Sequence, residues 1–531
     1  MTTPSAHFLS LLAPKLREWP NRTIFRPYLE SSQTWGSISF HDADRHISQS
    51  AQHWKEALSS LGLAPQDVVG LWLTGSKYED LINILGVSAA SFIPQLFSVT
   101  YSNAGMVQDL LSASGAKALV LDTAFSSFSE GSALPTLPSP VFSDFEVGTL
   151  TLSDLVLAYI EQNDTAVIFH SSGTTSGSPK LIRTTHGWIS TYMKFKYSLC
   201  QGDLKGHNVT NNIGSLAHVG SMTTFLAASF RGFCTAQSPA MGMSTEELMN
   251  MVKSCGLNRM AVYATFLSTY IRAAQQDEKV LSALQAFRQI VHTGVALNPE
   301  DEEWAHLNHI PMTTLYATSE TASMMTTVLG IGPDDRLLRL LPGVSARFNR
   351  YRLPDDTEDT SSELWEMVLP PDAPDSPHPS LFSADGLYHT KDLFEEVKPG
   401  LYRFRGRQGD MLKTVHGFCD TKAVEDNVRT TCGDLVHEVV VVGTNCRRIL
   451  LFVEVDTTSE ENGHLATEII RRIRPFNERL FHHERIADPR QIRTFPPGTL
   501  PRTKEKGNIR RNATELLFAQ EIADMNKLLD G

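Results

Sequence analysis

The chain has 531 residues, 41% of them hydrophobic and 20% charged, and a formal charge of −12. This is ordinary globular composition with material for several domains or subdomains. The acidic balance excludes a nucleic-acid surface, which needs clustered Lys and Arg, and no run of about 18 apolar residues predicts a membrane span or a membrane partner.

The N-terminal stretch MTTPSAHFLSLLAPKLREWP lacks a basic segment leading into a long apolar one, so a secretory leader is not expected. The cysteines are Cys200, Cys234, Cys255, Cys419, Cys432 and Cys446. They form no CxxC pair and are sparse for this length. Reduced thiols of a cytoplasmic protein are the expectation, rather than a disulfide framework or a zinc site.

In chain order, VVGLWL (Val68–Leu73) and ALVL (Ala118–Leu121) read as strands, and DLINILGVSAAS (Asp80–Ser91) has helical spacing. The alternation predicts an α/β protein. SALPTLPSP (Ser132–Pro140) and PPDAPDSPHPS (Pro370–Ser380) predict surface loops. TAVIF (Thr165–Phe169) predicts a strand, and LIRTTHG after Lys180 another. The segment between them is HSSGTTSGSPK, so it joins two strands. Exposed N–H groups of a Gly-rich turn form an anion-binding concavity, hydroxyls add donors and Lys180 adds charge. A polyphosphate suits it, and so does no ligand at all. A Walker A loop is excluded by the order of Gly173, Gly177 and Lys180. Further on, the acidic PDDTEDTSSE (Pro354–Glu363) reads as a solvated face. After about residue 410, HEVVVVGTN and RRILLFVEVD predict paired strands, and ATEIIRRIRPFNERL a helix, together a small α+β module.

SSGTTSGSPK resembles the phosphate loop of the adenylate-forming superfamily, with Ser176 inserted ahead of Gly177. That superfamily includes acyl- and aryl-CoA synthetases and the adenylation domains of nonribosomal peptide synthetases. LYATSE (Leu315–Glu320), YHTKD (Tyr388–Asp392), FRGRQGDMLK (Phe404–Lys413) and LPRTKEKGNIRR (Leu500–Arg511) resemble its later motifs in the same order. Ala317 and Lys391 stand where Gly is usual, and Lys506 precedes Gly507 where the family has Gly-Lys.

The resemblance implies an α/β fold. A large N-terminal body of two sheet-helix subdomains plus a distorted β-barrel (1–408) would carry a small, mobile α+β lid (409–531), with Gly409 as hinge. It implies ATP and Mg²⁺ as cofactors. Ser171, Ser172, Gly173, Thr174, Thr175, Gly177 and Lys180 would grip the phosphates. Tyr316 and Ala317 would meet adenine, and Ser319 would sit near the α-phosphate. Glu320 would hold Mg²⁺, a task suited to a carboxylate. Asp392 would accept the ribose hydroxyls, and Arg407 would contact ribose or phosphate. Lys506, with Lys504 as the alternative, would stabilise charge as carboxylate attacks the α-phosphate.

SLAHVGSM (Ser215–Met222) resembles the corresponding segment of acyl- and aryl-CoA ligases, placing His218 at the carboxylate pocket. No acidic residue occurs from Asn212 to Met222, so a partner for an α-ammonium is missing there. By family position Tyr263, Ala264, Thr293, Gly294, Val295, Ala296, Leu315 and Thr318 would line the pocket. These small or apolar groups suit a flat aromatic or an aliphatic tail better than a polar one, and an aryl acid is the expectation. The TVH spacing between Lys413 and Gly417 resembles carboxylic acid reductases and long-chain acyl-CoA synthetases, and the run FCDTKAVEDNVR with the tail KGNIRR resembles fungal synthetase-like reductases. The acceptor would then be a carrier-protein phosphopantetheine. The alternatives are a stand-alone CoA ligase and a catalytically silent scaffold built on this fold.

Overall fold

The computed structural model describes residues 6–530 except 98, 100, 102–103, 142–149, 156–159, 172–179, 202–204, 213, 241, 295–296, 298, 331, 352–363, 374, 409–410, 416, 457–461, 479, 481 and 503–508. The described residues form two compact units. One holds those up to Ala346 together with Leu369–Tyr388; the other holds those of Arg347–Val368 and His389–Gly531.

The first unit contains a six-stranded sheet. Its order is Lys180–Thr185, Thr165–Ser171, Ile93–Phe97, Val68–Trp72, Ala118–Leu121 and Thr136–Pro138. The inner strands are parallel, and Ile93–Phe97 and Ala118–Leu121 are buried along their whole length. Sheets covered on both faces require such continuous apolar runs. The strand Thr136–Pro138 corrects the sequence reading of Ser132–Pro140 as a loop. It pairs in parallel with Ala118–Leu121 at the sheet edge, where a proline's missing N–H breaks no ladder.

The helix Phe40–Ser60 opens on Ser39, whose hydroxyl accepts the Asp42 amide while Asp42 accepts the Ser39 amide. It packs on Tyr78–Ala89, the predicted helix, at a crossing that requires glycine: a Cβ at Gly86 would lie 2.1 Å from Ser50 Oγ. Trp54 Nε1 donates to Asn83 Oδ1 across the same contact.

A second sheet of this unit runs Arg259–Tyr263, Gln289–Thr293, Met312–Thr318, Ala322–Thr326 and Arg339–Leu340. Its first three strands are parallel. The helices Thr245–Cys255, Ala264–Ala274 and Glu278–Gln285 contribute Leu248, Met251, Leu267, Ile271 and Leu284 to its core. The unit also holds a four-stranded sheet of Val209–Asn211, Cys234–Ala236, Thr23–Arg26 and Ile38–Ser39, and the two-stranded pair Tyr28–Leu29 with Thr34–Trp35.

The second unit holds, apart from Leu369 and Tyr388, a four-stranded sheet of Arg347–Tyr351, Leu364–Leu369, Tyr388–Lys398 and Leu401–Arg407. It also holds the predicted α+β module. There Glu438–Val442 pairs antiparallel with Leu450–Glu454, which pairs in parallel with Ile492–Phe495. The VVVV run is buried on both faces because alternate side chains serve two cores. Val439 and Val441 meet Val424 and Ile469, while Val440 and Val442 meet Ile522 and Met525. The predicted helix spans Asn462–Asn477. All six cysteines are free thiols. Among the described residues no helix is long and apolar enough to cross a membrane.

Candidate functional site

Two parallel strands of the first unit end together beside a third, Met312–Thr318, that runs on. Tyr263 and Thr293 are register partners at the C-terminal ends of their strands. Thr293 Oγ1 donates to the Leu315 carbonyl, 2.8 Å away on the next strand. Gly294 follows with φ +97°, and a Cβ there would lie 3.1 Å from Tyr263 Cδ1. Ligands of open α/β sheets bind at this end of the strands. Burial raises the Tyr263 phenol above its ordinary pKa, so it stays a neutral hydroxyl. Ala264, fully buried, opens the next helix. Asn211, which sequence reasoning passed over, braces this end. Its amide donates to the Ala261 carbonyl and accepts the Ala261 N–H, both at 2.8 Å, replacing a missing strand neighbour.

The strand Met312–Thr318 carries Tyr316 and shifts register between Tyr316 and Ala317. It reverses through Ser319, Glu320 and Thr321 into Ala322–Thr326. Thr318 Oγ1 accepts the Thr321 amide at 3.2 Å, and Ala322 closes the turn with φ +54°. Tyr316, Thr318, Ser319 and Glu320 are half-buried, and Ala317 is exposed. Ser319 and Glu320 make no side-chain hydrogen bond or ion pair to other described residues. A half-buried carboxylate left open in this way fits a divalent cation whose remaining ligands are phosphate oxygens and water. No cluster of three or more acidic, His or Cys ligands exists among the described residues, so Mg²⁺ held by protein alone is not what these residues offer.

His218 precedes the helix Val219–Phe230 and is solvent-accessible, while neighbouring protein atoms still hold its pKa below the ordinary value by desolvation. Its segment is anchored from behind. Leu216 N–H donates to the Gly75 carbonyl at 2.7 Å, and Asp80 accepts the Gly75 amide at 2.7 Å.

The loop resembling a phosphate grip joins two antiparallel strands, as its flanks predict, with Ser171 and Lys180 paired across its base. Lys180 is exposed. Ser172, Gly173, Thr174, Thr175 and Gly177 lie outside the described residues, as do Val295, Ala296, Gly409, Lys504, Lys506 and the acidic stretch 354–363. The base is rigid. His170 is pushed down to about 4 by burial, so it is neutral. Its Nδ1 donates to the Leu96 carbonyl at 3.0 Å, which leaves Nε2 to accept from Gln95 at 3.0 Å.

In the second unit Asp392 and Arg407 are register partners, and Arg407 Nε lies 2.8 Å from Asp392 Oδ1. Lys391, standing where the resemblance has Gly, adopts φ +61°. The left-handed backbone that glycine serves is therefore kept by a lysine, at a cost of about 1 kcal/mol. Glu366, missed by sequence reasoning, accepts the Lys391 amide at 3.1 Å and pairs with His389 Nδ1 at 3.0 Å.

A family profile described as AMP-binding enzyme matches residues 13–363, and one described as AMP-binding enzyme C-terminal domain matches residues 419–529. The chain belongs to the AMP-binding, or adenylate-forming, enzyme family. The AMP-binding domain-containing enzyme iboA of Amanita muscaria is 32% identical, covering 93% of this chain and 98% of its own. In fold, the chain is similar to the anthranilate CoA ligase AuaEII crystallised with anthranoyl-AMP (TM-score 0.68, 17% identity, 97% of this chain and 99% of that one). It is also similar to the o-succinylbenzoate CoA synthetase MenE of Bacillus subtilis with AMP (TM-score 0.67, 16% identity, 94% and 97%). As an AMP-binding enzyme the protein uses ATP to convert a carboxylic acid into an acyl-adenylate. The motifs read from the sequence lie within or between these two matched stretches. The residues that brace them, Asn211 and Glu366, carry no motif and become visible only through their partners.

Proposed function

We propose that this enzyme activates an aryl acid without an α-amino group and passes the acyl group to the phosphopantetheine thiol of a carrier protein. The observation that carries the reading is the end of the parallel strands around Tyr263, Thr293 and Gly294. It presents an aromatic face and bare backbone, and no carboxylate for an ammonium occurs from Asn212 to Met222. Gly294 lets the Tyr263 ring lie against bare backbone, and a flat aromatic ring is the natural partner of such a face.

In the first step an acid oxygen attacks the α-phosphorus of ATP, and the bond to pyrophosphate breaks. The loop Ser171–Lys180 grips the departing phosphates. Tyr316 stacks on adenine, Asp392 accepts the ribose hydroxyls and Arg407 steadies that carboxylate. Mg²⁺ bound at Glu320 would supply positive charge to the phosphate oxygens. Lys506 stabilises charge on the attacked phosphate, and His218 orients the acid. In the second step the thiol attacks the acyl carbon and AMP leaves. Residues 409–531 act as the lid that turns about Gly409 between the two steps.

Acyl transfer tests the acceptor. Enzyme loaded with acyl-adenylate is mixed with CoA or with phosphopantetheinylated carrier protein. Faster AMP release with the carrier supports the reading; release with CoA alone makes the protein an aryl-CoA ligase instead.

A further inference from the structure

A buried lysine stands behind the Ser319–Glu320 turn. The helical stretch from His186 to Gln201 widens at Tyr192–Lys196, where the Tyr197 amide reaches back to the Tyr192 carbonyl, five residues away. Such widened turns collect at functional sites because they re-aim side chains. Here the turn brings Lys196 into the core, with its side chain 7% exposed. Its ammonium donates to the Thr321 carbonyl at 3.1 Å and touches Met324 Sδ at 3.4 Å. Its counter-charge is Asp375, 3.1 Å away and 2% exposed, from the proline-rich segment that the sequence presents as a surface loop.

Neither Asp375 oxygen receives a hydrogen bond of good geometry, so among the described residues Lys196 is the charge that balances that carboxylate. Desolvating both charges is costly, and an apolar pair of the same size would fill the space with less penalty. What the pair provides is a fixed donor aimed at one backbone carbonyl. That carbonyl belongs to the residue after Glu320, and Thr321 also locks the turn through its amide to Thr318 Oγ1. Around the ammonium, burial keeps the Cys200 thiol neutral by raising it to about 11 and the Tyr192 phenol by raising it to about 12. Among the described residues, Asp375 is the anion paired with Lys196.

We propose that Lys196, set by Asp375, is a positioning residue for adenylate formation: it pins the Thr321 carbonyl and so aims Ser319 and Glu320 at the nucleotide phosphates. This rests on the reading of Glu320 as the residue facing Mg²⁺ and phosphate.

The test is the double variant Lys196→Met/Asp375→Leu, which removes both charges at nearly constant volume, assayed by pyrophosphate exchange. The proposal expects a melting temperature at or above that of the parent and a KM for MgATP raised about tenfold or more, with the acid KM unchanged. A parental KM for MgATP overturns it. So does an equal rise in both KM values, or a double variant that fails to fold, because the pair is then only structural. Glu320→Gln is measured alongside. A parental MgATP KM in Glu320→Gln refutes the assignment of Glu320 itself. A raised KM there, with a parental KM in the double variant, refutes only the role of Lys196.

Discussion

Arg407 Nε lies 2.8 Å from Asp392 Oδ1 across one antiparallel strand pair, with Asp392 buried and Arg407 nearly half exposed. An ion pair open to water on one side contributes at most about 1 kcal/mol to stability. A hydrogen bond from a ligand to a charged group contributes about 1.5–3 kcal/mol. Asp392→Asn therefore separates the two. The melting temperature should shift little, while the KM for ATP in pyrophosphate exchange rises about tenfold or more. A large loss of stability with an unchanged KM for ATP would make Asp392 a structural residue.

Gly294 and Tyr263 make the second prediction. Gly294→Ala places a methyl group 3.1 Å from the Tyr263 ring on left-handed backbone, which costs about 1 kcal/mol before any substrate binds. The acid KM should rise, and Tyr263→Ala in the same chain should recover part of the loss for bulky aryl acids. Kinetics across a size series of benzoic acids check this. An unchanged size preference in both variants would place the pocket elsewhere.

Buried histidines set the third. His7 and His292 are lowered to about 4 and His186 to about 3, all chiefly by desolvation. The unfolded chain binds these protons near pH 6.5, and the folded chain does not until far lower pH. Stability is therefore full above about pH 6.5 and falls as pH drops from there toward 4, by about 1 kcal/mol per histidine at pH 5.5. Urea midpoints at pH 7.5 and 5.5 measure it. His292→Gln should reduce the difference; an equal midpoint at both pH values would mean that these rings are protonated in the folded protein.

The proposed lid gives the fourth. Lys506→Ala should slow adenylate formation by about 10²–10³ and leave transfer from preformed acyl-adenylate nearly intact. Gly409→Pro should do the reverse, because proline fixes the φ that a pivot must change. Single-turnover measurements of each half-reaction decide. Equal losses in both halves for Lys506→Ala would move the catalytic role to Lys504 or elsewhere.

Much of this architecture was legible before any coordinates. TAVIF and LIRTT announced strands because they are short, β-branched and bounded by Gly, Pro and Ser, and the structure pairs them as Thr165–Ser171 and Lys180–Thr185. The VVVV run announced a strand but not that both its faces are covered, which depends on helices far away in sequence. Ser132–Pro140 misled because prolines look like loop residues; only the position of Thr136–Pro138 at a sheet edge lets them join the ladder. Lys196 and Asp375 were illegible for a different reason. A lysine in MKFKYS carries no sequence signal of burial, and an aspartate among prolines reads as part of a surface loop. Their burial follows from a widened helical turn and from a contact across almost 180 residues of chain. Glu366 was hidden likewise, since its task is to receive the amide of Lys391.

The most direct measurement is ATP–pyrophosphate exchange with a panel of benzoic acids, aliphatic acids and α-amino acids. The account predicts exchange driven by at least one benzoic acid, dependent on Mg²⁺, and none driven by α-amino acids. Exchange only with α-amino acids would contradict the aryl-acid reading, and no exchange with any carboxylic acid would contradict adenylate formation by this chain.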